Sequence, residues 1–211
     1  MKISLTNTGK RFNRDWIFRN FSYEFIPGKA YAITGPNGSG KSTLLQVIGG
    51  ATVKSEGDIF YASHNSGTSS KNNIAPEEAY RNISIAAPYL ETIEEMTVTE
   101  FLRFHSQFKT FLPGIDTREI ISLVGLEKAA NKQIRYYSSG MKQRVKLAQA
   151  IFSDTSCLLL DEPITNLDSE GVALYRSLIE KYINNRLVIV SSNDEEEYFF
   201  CSEKINVLHF K

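Results

Sequence analysis

Residues Gly35 to Ser42 read GPNGSGKS and satisfy the spacing G-x-x-x-x-G-K-[ST]. That pattern suits the binding of phosphate groups. Glycines at 35, 38 and 40 let backbone N–H groups close on phosphate oxygens, and a helix starting directly afterwards aims its partial positive end at the same place. Lys41 supplies a cation for the β- and γ-phosphates of a nucleotide, and Ser42 offers a hydroxyl to Mg2+. A second stretch, CLLLDEPITNLD from Cys157 to Asp168, carries an apolar strand up to two adjacent carboxylates. Desolvating Asp161 there is costly unless a cation or hydrogen bonds compensate. A nucleotide-bound Mg2+ is such a cation, so Asp161 reads as its ligand, directly or through water. Glu162, one residue on, projects differently and reads as the group that polarises a water attacking the γ-phosphate. A third stretch, YYSSGMKQRVKLAQAIF, offers Ser138 or Ser139 as the N-cap of a helix with Met141, Val145, Ala148 and Phe152 on one apolar face. Small residues and Gly140 at that helix start make a second anion site.

These residues need particular elements to position them. The first 34 residues predict short alternating strands, with Phe21, Tyr23 and Phe25 on one face, and KAYAIT enters the glycine-rich turn as a strand. KSTLLQVIGG predicts a helix that stops at Gly49 and Gly50. Residues 62–82, rich in Ser, Asn and Gly, read as an excursion between strands at 57–61 and 83–87. From 97 to 131 the period becomes helical, and Phe101, Phe104, Phe108 and Phe111 predict a core-facing stripe. The remainder returns to α/β order: a helix at 140–152, a strand at 157–160, a helix around 169–184 and the strand RLVIVSS. One compact domain over residues 1–211 is expected, with a helical subdomain at about 92–145.

Composition narrows the classes. Lys plus Arg and Asp plus Glu each total 24, so no overall basic field favours nucleic acid, and no nucleic-acid partner is expected. Cys157 and Cys201 sit in apolar surroundings, which suits reduced core thiols rather than a disulfide framework. The opening MKISLTNTGKRFNRDW has no apolar signal segment, and no run approaches the roughly 18 to 20 apolar residues of a membrane span. Any membrane role then passes through a partner. His64, His105 and His209 lack metal-ligand spacing.

Taken together, the motifs resemble the nucleotide-binding subunit of an ABC transporter, over essentially the whole chain. GPNGSGKST is similar to the Walker A motif, YSSGMKQR to a variant of the LSGGQ signature, LLLDEP to Walker B, and Asn166 to Asp168 to the D-loop. The resemblance implies an α/β P-loop NTPase core with an N-terminal antiparallel β subdomain and a helical insertion, hydrolysing ATP with Mg2+. Gly35, Pro36, Asn37, Gly38, Ser39, Gly40, Lys41, Ser42 and Thr43 would surround the nucleotide, and Ser42 and Asp161 would hold the metal. Glu162 would be the general base, with Lys41 and Asn193 as further catalytic residues. Ser138, Ser139, Gly140, Met141 and Asp168 would face nucleotide across a head-to-tail homodimer or heterodimer of ATPase subunits. Phe12 is the nearest match to the ring that stacks on adenine in this family, and Trp16 the second. A separate transmembrane permease subunit would be the partner, placing this chain on the cytoplasmic side, peripheral on the inner face of the membrane.

Two departures qualify the likeness. No Gln occurs from Ile83 to Phe101, where the family carries one; Pro88 or Tyr89 holds the approximate place. After LVIVSS the chain has Asn193 and Asp194 where the family carries a His, and a neutral amide does not become charged near neutral pH. Turnover is then slow, or coupling is arranged differently. The alternatives are a soluble ABC-type ATPase in assembly or repair, of the iron-sulfur-assembly kind, and a slow-turnover ATP-dependent dimerisation switch.

Overall fold

The computed structural model describes residues 1–63, 73–183 and 185–211. Part of the excursion expected at 62–82, residues 64–72 with His64 among them, lies outside the described residues. The chain divides into two compact units: Met1–Ile83, Ser156–Asp161 and Asn185–Lys211 form the first, Ser84–Thr155 and Glu162–Asn184 the second.

The first unit opens with two long strands, β1 (Lys2–Phe12) and β2 (Asp15–Phe25), rather than several short ones. Asn13, at φ 54, turns the hairpin; Asn tolerates this left-handed backbone better than most side chains. Phe25 pairs in register with Ile3 and Tyr23 with Leu5, and Phe18, Phe21 and Phe25 are fully buried. The Tyr23 and Phe25 rings stand 4.9 Å apart, so the alternation read from the sequence is an inward aromatic face. β3 (Ala30–Thr34) enters the glycine-rich turn, followed by α1 (Lys41–Ile48), β4 (Glu56–Ala62) and β5 (Asn73–Ile74). β4 pairs antiparallel with β1, giving the sheet order β2-β1-β4-β5.

After a 3-10 turn over Pro76–Asn82, β6 (Ile83–Ala86) leads into the helices α2 (Val98–Ser106), α3 (Thr117–Leu123) and α4 (Ser139–Ile151). The chain returns through β7 (Cys157–Asp161), α5 (Ser169–Tyr182), β8 (Leu187–Ser191) and β9 (Glu203–Asn206). In the first unit β7, β8, β3 and β9 lie side by side in that order, all parallel. Every residue of β7 and β8 is buried, as expected of parallel strands covered on both faces. α1 buries Leu44, Leu45, Val47 and Ile48. Gly49 comes so close to β7 that an added Cβ would stand 2.8 Å from Leu159 Cδ1. Register pairs Ser191 with both Asp161 and Ile33, so the carboxyl ends of β7, β8 and β3 form one edge. Ligands of α/β sheets gather at such an edge. Neither cysteine is in a disulfide, and burial pushes both thiols up to about 12, which leaves them inert near neutrality. Cys157 is buried; Cys201 is only half-buried.

The second unit is helical and carefully capped. Thr97 and Glu100 form a reciprocal capping box on α2, Asp116 caps α3, Ser138 caps α4 and Asp168 caps α5. The phenylalanine stripe is a correction: α2 stops at Ser106, so only Phe101 joins the core, while Phe104 and Phe108 are exposed and meet edge to face at 5.1 Å. Phe111 stacks on His105 instead, with ring centroids 6.0 Å apart. His105 Nε2 lies 2.8 Å from the fully buried Ser153 Oγ, and burial, helped by Lys109, pushes its imidazole down to about 4. Among the described residues, no helix is long and apolar enough to cross a membrane.

Candidate nucleotide-binding site

The sequence-derived site residues fall into two groups, one in each unit. In the first unit the loop after β3 is shaped by close approaches rather than by flexibility. Gly40, at φ 102, leaves so little room that a Cβ would stand 2.4 Å from Ile17 Cγ2, and at Gly35 one would meet Ser39 Oγ at 2.8 Å. The loop then runs directly into α1, whose first turn has no side-chain cap and no acidic residue. Its N-terminal N–H groups and positive end therefore face whatever occupies the loop. Lys41 is buried, and its Nζ donates to Gly35 O at 2.9 Å and Pro36 O at 3.3 Å. Ser39 N–H donates to Pro36 O at 3.0 Å. The Ser39 hydroxyl is buried with no hydrogen-bond partner among the described residues. A helix start without a side-chain cap, a buried ammonium and an unsatisfied hydroxyl are together chemically suited to a polyphosphate.

Asp161 ends β7 at 2% exposure, a depth at which a carboxylate needs a compensating partner. Ser42, half-buried at the second position of α1, supplies a hydroxyl in the same unit. A carboxylate and a hydroxyl are donors suited to Mg2+. Asn193 follows β8, where its Oδ1 accepts the Gly35 N–H at 3.1 Å and its Nδ2 donates to Asn37 Oδ1 at 3.1 Å. Phe12, at the end of β1, is half exposed, with Lys10 Nζ 4.7 Å from its ring centre. Trp16 is more encumbered, carrying the Arg19 guanidinium at 4.5 Å and that of Arg11 at 5.6 Å. Arg19 is itself held by Glu56 in a two-pronged ion pair.

In the second unit the Ser138 hydroxyl caps α4 by accepting the Met141 N–H at 3.2 Å. Gly140 lies against the turn before α5, and a Cβ there would stand 2.9 Å from Asn166 O. Asn166 holds that turn in the left-handed region at φ 66, and Asp168 Oδ1 caps α5 through the Gly171 N–H at 2.8 Å. Residues 138–141, Arg144 and residues 166–168 line a cleft of about 290 Å3. Glu162 starts this segment at φ 42, a left-handed conformation costing a non-glycine residue about 1 kcal/mol or more. Two residues escaped the sequence reading. Gln143 is buried and donates to Pro163 O at 2.8 Å, and Arg144 reaches Asp168 Oδ1 at 3.4 Å. Their signal was present in MKQR, directly after the expected cap. Where the family's Gln would fall, Pro88 O accepts from Lys146 Nζ at 2.6 Å and Tyr89 is exposed.

A sequence model of the ABC transporter family matches residues 18–165, from the middle of β2 to the turn after β7. The chain belongs to the ABC transporter family. It is an ABC ATPase, and ATP is its nucleotide. The uncharacterised ABC transporter ATP-binding protein YybJ of Bacillus subtilis is 31% identical, covering 98% of this chain and 93% of its own length. The cytochrome c biogenesis ATP-binding export protein CcmA of Agrobacterium fabrum is 29% identical, with 92% and 90% covered. Among solved structures, the dimeric ABC transporter cassette MJ0796 superposes with a TM-score of 0.79 at 22% identity, covering 97% of this ABC ATPase and 94% of that chain. An ABC transporter ATP-binding protein from Pyrococcus furiosus gives 0.80 at 19% identity, with both chains fully covered. These two likenesses establish the shared fold, an α/β ABC ATPase with a separate antiparallel sheet.

Proposed function

We propose that this chain is the ATP-hydrolysing subunit that drives an ABC transporter through a separate transmembrane chain, sitting on the cytoplasmic face of the membrane by that contact. We read residues 1–211 as one ABC ATPase domain with a helical subdomain at about 92–145. The observation that carries the reading is the uncapped start of α1 beside buried Lys41 and the unsatisfied Ser39 hydroxyl. On this reading the backbone of residues 35–43 cradles the phosphates, and Lys41 exchanges its two loop carbonyls for phosphate oxygens. Ser42 and Asp161 would hold Mg2+, which when bound offsets charge developing on the phosphates. Glu162 accepts a proton from the attacking water, and Asn193 lies beside the loop as a neutral hydrogen-bonding group. Phe12 stacks on the base.

Ser138, Ser139, Gly140 and Met141, at the start of α4, and Asp168 complete the site of a second ATPase subunit in a head-to-tail dimer, supported by the dimeric form of the similar cassette. Relatives named for export and for import both occur, so the proposal concerns the ATP-driven engine rather than its cargo. Two variants test it. Glu162→Gln keeps shape while losing the base, so with ATP and Mg2+ it should elute from size exclusion as a dimer and hydrolyse at least a hundredfold more slowly, on the order of what a general base contributes. A monomer turning over at the parent rate would remove Glu162 from that role. Lys41→Ala should weaken ATP binding at least tenfold by calorimetry, the loss expected for one charge-assisted contact.

A further inference from the structure

Asn193 stands where the family carries a histidine, yet its contacts describe a different device. A backbone N–H can only donate, so the Gly35 N–H, 3.1 Å away, fixes the Asn193 oxygen toward itself. The amide nitrogen of Asn193 must then face the other way, toward Asn37, and the 3.1 Å contact there requires Asn37 to present its oxygen. The orientation of both amides follows from one donor that cannot reverse. With its oxygen engaged, Asn37 keeps its N–H donors for an acceptor beyond the pair. Phosphate oxygens accept hydrogen bonds and never donate them when ionised.

The surroundings hold this chain of amides in place. Ser192 N–H donates to Ile33 O at 3.1 Å, tying the residue before Asn193 to the strand that feeds the loop. Asp194 N–H donates to Ser192 Oγ at 2.8 Å, fixing the residue after it. Lys41 Nζ donates to the Gly35 carbonyl at 2.9 Å, so Gly35, the first residue of the loop, is held through both its N–H and its C=O. Neither amide titrates.

Resting on the nucleotide reading above, we propose that Asn193 is a positioning residue that acts through Asn37: it turns the donor end of the Asn37 amide toward the terminal phosphate and so makes the loop prefer a triphosphate to a diphosphate. Asp at 193 would still accept from Gly35 but could not donate to Asn37. The Asn37 amide would turn over and offer its oxygen to the phosphate, repelling it. A role confined to shaping the turn would alter affinity for both nucleotides alike.

The test is calorimetric titration of the full chain with Mg2+ and either ADP or a non-hydrolysable ATP analogue. Asn193→Asp should lower the preference for the analogue over ADP by about tenfold or more, the scale of one lost hydrogen bond to a charged group, while ADP affinity moves less than about threefold. Asn37→Ala should lower the same preference, and Asn37→Ala with Asn193→Ala should lose no more than Asn37→Ala alone, because one contact is being removed twice. If Asn193→Asp does not fold, this second comparison decides alone. Equal losses for ADP and analogue, or losses that multiply in the double variant, overturn the relay. A parent protein that binds neither nucleotide overturns the nucleotide reading and the relay with it; a parent that binds both, with the preference unmoved by the variants, overturns the relay only.

Discussion

The glycine-rich loop in the first unit and the α4 cleft in the second are built by opposite means. The loop is anchored on β3, β7 and β8, whose central residues are wholly buried, and its shape is set by backbone approaches such as Gly40 on Ile17. The cleft is assembled from helix caps, a left-handed turn and a partly exposed ion pair. Packing secures the first, and local hydrogen bonds secure the second. Substitutions around the loop should therefore trade in stability, whereas substitutions around the cleft should leave the fold standing and alter what it can contact.

The comparison is most severely tested at Leu159, in the centre of β7 and fully buried. Leu159→Ala should destabilise by about 2–5 kcal/mol, read from the denaturant midpoint, since it removes core contacts and leaves a cavity. A loss below about 1 kcal/mol would mean that the strands are not what anchors the loop. Next comes Gly140→Ala, whose Cβ must push the Asn166 carbonyl aside. About 1–3 kcal/mol of strain is expected, with ATPase activity lost and calorimetric ADP affinity retained. Parallel loss of ADP affinity would break the division between the two regions. Ser138→Ala should cost about 1 kcal/mol, the ordinary worth of an N-cap, in thermal melts followed by circular dichroism. A change of conditions rather than of sequence, low pH, tests the second unit last. Because His105 is held neutral down to about 4 in the folded protein, the unfolded chain gains a proton first as pH falls below its ordinary 6.5. Stability is full above that value and declines between 6.5 and 4, and His105→Gln should flatten this part of the Tm profile.

Legibility from sequence followed the range of the contacts. The glycine-rich loop, the carboxylates at the end of β7 and the cap of α4 each lie within a few consecutive residues, where spacing alone carries the geometry. The pairing of Asn193 with Asn37 spans 156 positions, and no local pattern announces it. The approach of Ile17 to Gly40 is equally silent, because it depends on how β2 is placed against the loop. The phenylalanine stripe failed for another reason. Its helical spacing continues past Ser106, but the helix does not, and the residues beyond it follow a bridge between Phe111 and Ser153. Periodicity reports which face a helix would bury without reporting where the helix ends.

The crowding of Ile17 against Gly40 has an optical consequence. The neighbouring residue, Trp16, is the sole tryptophan of the chain and lies under the Arg19 guanidinium. The indole emission of the whole protein therefore originates at one spot, one residue from the wall of the phosphate loop. A movement of that loop that displaced Ile17 would shift the residue next to the indole and its quenching cations, so intrinsic fluorescence is the label-free signal in which loop occupancy should be sought.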